Sequence, residues 1–133
     1  MGNNLQLLFS FGQEGEVVLM APWDITSDKE QSIFLSEHLY HTVHEFTLEG
    51  EFRRIIGREG SGPGEFRNPQ QLTIDGEWLY VQDIGNMRLV LFHLDSDRTE
   101  IIVQDRSFST FRVYDDRIYG FFPGSYSVDG GTD

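Results

Sequence analysis

The chain has no cysteine. A disulfide framework and a thiolate zinc site are therefore excluded. Basic residues are scarce: 10 Lys and Arg stand against 22 Asp and Glu, a formal net charge of −12. That field repels phosphate backbones, so nucleic acid is a poor partner. No apolar run reaches 18 residues, so no helical membrane span is expected. The opening stretch MGNNLQLLFSFG has no basic region and no long apolar segment, so it does not read as a secretory signal. Gly2 is followed by Gln6 where a myristoylation motif wants Ser or Thr. Sustained helical periodicity is also missing. The one trial helix, Asp28 to His44, fails because Ile33, Phe34 and Leu35 cluster instead of recurring at spacings of three and four.

What is present is a repeat. Residues 33–48 align without a gap on residues 79–94, at an offset of 79 − 33 = 46. Ile33 matches Leu79, Glu37 matches Asp83, Val43 matches Leu89 and Phe46 matches Phe92. Pro22 matches Pro69 at an offset of 69 − 22 = 47. Partial echoes link Phe11–Gly15 to Ile56–Gly60, and Arg112–Tyr119 to Leu72–Tyr80. Short strands repeating at about 46 residues are the signature of propeller blades.

Period-two alternation with β-branched and aromatic residues locates the strands. The reading is an all-β chain, a β-propeller segment of four-stranded antiparallel blades. Residues 5–11 read as the last strand of a preceding blade and 17–57 as a full blade. Residues 66–105 form a second full blade, 108–122 the first half of another, and 123–133 a tail. Turns are expected at Asp75-Gly76, Gly85-Asn86, Asp95–Asp97 and Asp115-Asp116. Propellers close with roughly four to eight blades. The expectation is thus about half of a ring, completed by further blades of a longer chain or by a second copy of this one.

The stretch Gly60-x-Gly62-Pro63-Gly64-Glu65-Phe66, then Pro69, Leu72-x-Ile74-Asp75, Leu79-Tyr80-Val81-x-Asp83, Asn86-x-Arg88 and Phe92, resembles an NHL repeat. Its Gly-Pro-Gly-Glu-Phe form is similar to that of bacterial six-bladed β-propeller proteins. The first blade departs from the pattern, with Glu37, Tyr40 and Thr42 where the second has Asp83, Asn86 and Arg88. The resemblance implies a six-bladed ring and a cell-envelope or secreted location. It does not imply one activity, since such rings include binding modules as well as lyases and lactonases.

The glycines at 57, 60, 62 and 64 invite a phosphate-loop reading, but a strand follows them where such a loop needs a helix. They read as an inter-blade corner. Asp83, Asn86 and Arg88 suit tight turns, and the same side chains would suit a polar pocket at one end of the ring. They stand as candidate ligand contacts together with Tyr40 and His38. His38, His41 and His44 could suggest zinc, yet in loop and strand they diverge and read as solvated. Trp78, Tyr80, Phe92 and Phe46 read as inter-blade core. No catalytic triad can be assembled, and no cofactor is expected. Calcium in a central channel is the one metal left open. The functional expectation is a non-enzymatic scaffold presenting loops to a protein or glycan. The alternative is part of a metal-dependent lyase or lactonase with its site at the channel.

Overall fold

The computed structural model describes residues 19–106, 108–122 and, as backbone, 128–130. Within them the chain forms three antiparallel sheets. The first holds β1 (Pro22–Ser27), β2 (Ser32–Glu37), β3 (Thr42–Thr47) and β4 (Phe52–Ile56). The second holds β5 (Pro69–Asp75), β6 (Trp78–Asp83), β7 (Arg88–His93) and β8 (Thr99–Val103). The third holds β9 (Thr110–Tyr114), β10 (Arg117–Phe121) and β11 (Val128–Gly130). Each strand pairs with its sequence neighbour, so every sheet is a meander. The innermost strands β1, β5 and β9 lie side by side. This is the blade arrangement of a propeller.

The strand expected at Leu5–Phe11 lies outside the described residues. The tail expected at 123–133 is corrected in part: Val128–Gly130 pairs with Tyr119–Phe121 and gives the third sheet a third strand. β10 is thereby paired on both sides, by β9 and by Val128–Gly130, which satisfies backbone groups that an edge strand would leave open.

The two full blades share an irregularity. Pro22 pairs with Glu37 and Ile25 with Leu35, so β1 spends one residue more than β2. Pro69 pairs with Asp83 and Leu72 with Val81, with the same surplus. Each is a bulge one step after the opening proline, where a missing N–H costs no ladder bond. The bulge re-aims the next side chain toward the following blade. Asp24 accepts the Leu72 amide at 2.9 Å. Gln71 accepts the Phe111 amide at 3.0 Å and donates to the Ser109 carbonyl at 2.9 Å. Deeper in the sheets Ser36 donates to the Gln70 carbonyl, and Gln82 to that of Phe108. The same two latches therefore hold both blade junctions.

Apolar side chains fill the space between latches. Strand alternation sends Leu79, Val81 and Val90 toward the first blade, where they meet Phe34, Val43, Phe66 and Leu72. Tyr80, Leu89 and Leu91 point the other way, onto Phe108, Phe111, Val113 and Phe122. Full burial of each such side chain stabilises by about 1.5–3 kcal/mol. Gly120 leaves room at the second junction: a Cβ there would strike the Phe108 ring. Of the expected core aromatics, Tyr80 and Phe46 are buried, while Trp78 and Phe92 are half-buried at the edges of the two clusters.

Candidate functional site

Antiparallel meanders place their turns alternately at two ends. One end carries the β2–β3 turn, the β6–β7 turn and the corners leading from one blade to the next. All five candidate contacts lie there: His38 and Tyr40 in the first turn, Asp83, Asn86 and Arg88 around the second.

The second group forms one network. Asp83 is fully buried at the end of β6. One carboxylate oxygen accepts the Arg67 amide at 2.7 Å. The other accepts Asn86 Nδ2 at 2.8 Å and Arg88 Nε at 3.1 Å. Arg88, 8% exposed, donates onward to the carbonyls of Ser61 at 3.0 Å, Gly62 at 2.7 Å and Glu65 at 2.9 Å. Asn86 donates to the Gly60 carbonyl and accepts the Ser61 hydroxyl, both at 2.9 Å. The three side chains thus grip the glycine corner by its backbone. Planar guanidinium geometry suits this, because it holds three carbonyls and a carboxylate at once.

The corner itself is built to be gripped. Gly57 has φ of +84°, and a Cβ there would strike the Phe66 ring that plugs the core beneath it. The loop also carries its own anion. Glu65 accepts the Gly62 amide and the Arg58 guanidinium, at 2.9 and 2.8 Å. The Gly62 amide, then Arg58, hold its carboxyl below the usual carboxylate range.

The first blade meets the same demand differently. Glu37, fully buried, stands at the Asp83 position. It accepts the amides of Met20 at 2.8 Å and Ala21 at 2.9 Å, with Leu39 more distant at 3.3 Å. Thr42 replaces the arginine. The turn that follows is open to solvent: Leu39 is 53% and Tyr40 50% exposed. Trp23, 55% exposed, sets its ring edge-on to His38 with centroids 5.4 Å apart. His41 and Met87, 46 residues apart, both take left-handed backbone, with φ of 59° and 52°. His41 Nδ1 accepts the Asn68 amide at 2.9 Å, and its Nε2 lies 3.3 Å from Glu59.

The reading of three solvated histidines needs correction at His44, which is 3% exposed and stacked near Phe46. It sits inside β3, where period two turns it onto a packed face. Burial lowers its pKa, with Glu37 acting in the opposite sense. Among the described residues no three His, Asp or Glu side chains come together as a metal-binding group. Trp23 and the latches Asp24 and Gln71 escaped the sequence reading. The latches had a usable signal, because they sit two residues after Pro22 and Pro69 and share their offset.

Meandering four-stranded sheets, inner strands side by side and repeated junction latches define a segment of a β-propeller. The chain belongs to the DUF5128 family, described as a 6-bladed beta-propeller, whose model matches residues 19–131. No curated protein matches it. Solved structures agree on the fold. A Bacteroides fragilis protein superposes with a TM-score of 0.66 at 17% identity, over 77% of this chain and 30% of that one. A chain of a nidogen/laminin complex gives 0.69 at 18% identity, over 84% and 43%. Kuenenia stuttgartiensis hydrazine synthase gives 0.66 at 15% identity, over 92% and 35%. This chain therefore spans less than half the length of each of these chains.

Proposed function

We propose that the chain is part of an NHL-like binding platform that takes a protein segment on the end carrying the β2–β3 and β6–β7 turns. The observation behind this reading is a division of labour on that end. Asp83, Asn86 and Arg88 direct their hydrogen bonds at the glycine corner. Trp23, Leu39 and Tyr40 leave about half of their surfaces in water beside His38. Large side chains grouped at one end of a rigid scaffold are what a contact surface requires. Leu39 beside the two aromatics favours a peptide over a sugar, and the net charge of −12 favours a basic one. A nidogen/laminin complex among the similar structures adds only a likeness of fold.

The experiment is a peptide array and a glycan array probed with the labelled chain and with a Trp23→Ala/Tyr40→Ala variant. Selective binding to peptides pairing basic and apolar residues, lost at least tenfold in a variant with unchanged circular dichroism, is the expected result. Selective glycan binding would replace the peptide reading. Binding that survives the double substitution would remove this end of the molecule from consideration.

A further inference from the structure

The first blade buries a carboxylate where the repeat does not require one. Glu45 pairs with Phe34 and Arg54 across β3, as Leu91 pairs with Tyr80 and Glu100 across β7. Leu91 packs into the apolar cluster of the second junction, so this blade plan folds with leucine at that position. Glu45 is 7% exposed and accepts the Ser32 hydroxyl at 2.6 Å and Arg54 Nε at 2.7 Å. Arg53 Nε lies 3.6 Å from the same carboxylate. We infer that Glu45 anchors the arginine wall of a small-molecule site between the first two blades, and that the site takes an α-amino acid with an apolar side chain.

The two arginines share one buried anion, which leaves a positive charge in excess. That excess lines a cavity of about 410 Å³, within the range that small ligands occupy. The opposite wall is the β7–β8 turn, which supplies Asp95, Ser96 and Asp97. Arg98, the cation nearest them in sequence, is engaged elsewhere. It donates to Glu100 at 2.9 Å and lies 5.2 Å from the centre of the Trp78 ring. Among the described residues no cation pairs with the Asp95 or Asp97 carboxylate, Arg53 and Arg54 included. The walls therefore carry opposite charges across a gap that neither side closes. This end of the sheets lies opposite the one that carries Tyr40, so the site stands apart from the peptide reading.

The ligand follows from the two walls. A bare anion would meet the aspartates, and a bare cation the arginines, so only a ligand bearing both signs satisfies each side. Arg54 donates to Glu45 through Nε, and among the described residues its two terminal nitrogens are left for a carboxylate. An ammonium group then faces Asp95 and Asp97. Arg54, Ser96 and Asp97 also line a second cavity of about 200 Å³, which adds Ile55, Ile56 and Phe92. An apolar side chain enters there, beside the charges that hold its backbone end.

The test is isothermal titration of the chain with L-leucine, which should bind saturably. N-acetyl-leucine lacks the ammonium and leucinamide the carboxylate, so each should bind about tenfold more weakly, as expected for one lost charged hydrogen bond. Arg54→Gln and Asp97→Asn change exposed side chains and should weaken leucine by a similar factor. Glu45→Leu installs the residue of the second blade, so the urea midpoint should hold while leucine binding falls. Should that variant fail to fold, the Arg54 and Asp97 variants still decide the matter. No saturable binding of leucine, analogues that bind as tightly as leucine, or full binding by both Arg54→Gln and Asp97→Asn would each overturn the site.

Discussion

In the second blade a buried aspartate closes the inner corner with the help of an asparagine and an arginine, whereas in the first a buried glutamate closes it without either. The difference begins with one methylene. Glu37 reaches the Met20 and Ala21 amides directly. Asp83 is shorter: it takes only the Arg67 amide from the chain ahead of β5 and engages Asn86 and Arg88 with its other oxygen. Those two then need acceptors of their own, and the carbonyls of Gly60, Ser61, Gly62 and Glu65 provide them. The glycine corner and the arginine therefore form one device. A carboxylate that accepts several backbone amides can stay charged without a cation. The repeat thus keeps the buried carboxylate and changes what surrounds it.

Substitutions can break this comparison. Asp83→Ala should be the most damaging, because it strands the buried Arg88 cation. The expected loss is about 3–5 kcal/mol by urea denaturation. Arg88→Met should cost nearly as much by stranding Asp83, and Arg88→Lys should recover only part, since an ammonium cannot fork onto three carbonyls. Glu37→Ala leaves amides unpaired but strands no charge, so about 1–3 kcal/mol is expected. Equal losses at 37 and 83 would show that the arginine adds nothing to the second corner. Gly57→Ala should cost about 1 kcal/mol for the backbone alone, and more if Phe66 cannot move.

The fold was legible because blades repeat. Ile33–Leu48 against Leu79–Leu94 set the period, and the expected turns at Asp75-Gly76 and Asp115-Asp116 form, with Gly76, Asp115 and Asp116 all at positive φ. The site was legible only as a cluster of residue types. Asp83, Asn86 and Arg88 were visible as a group, but their attachment to the corner depends on bonds spanning more than 20 residues, such as Arg88 to Gly62. Trp23 was hidden for a related reason. The register of β1 is interrupted between Pro22 and Ile25, so strand alternation alone does not tell which way Trp23 faces. Strand β11 was unreadable because three residues paired to β10 carry almost no pattern of their own.

The smallest expected effect concerns the one histidine that the first blade buries. His44 aligns with Val90, which is fully buried in the second blade. Burial keeps the His44 pKa below its ordinary value of 6.5, so the folded state favours the neutral ring. The unfolded chain binds that proton more readily. Stability on this account is complete above the unfolded pKa and declines as pH falls below it, until the folded ring also protonates. Thr42, 3.4 Å from Nδ1, pairs with the ring, and Glu37 on the neighbouring strand eases its charging, so the slope should be shallow. His44→Val installs the residue of the second blade. Urea midpoints measured between pH 7.5 and 5 should then fall less with acid than those of the unaltered chain. If both fall equally, the acid sensitivity lies elsewhere and the first blade tolerates its histidine without titrating it.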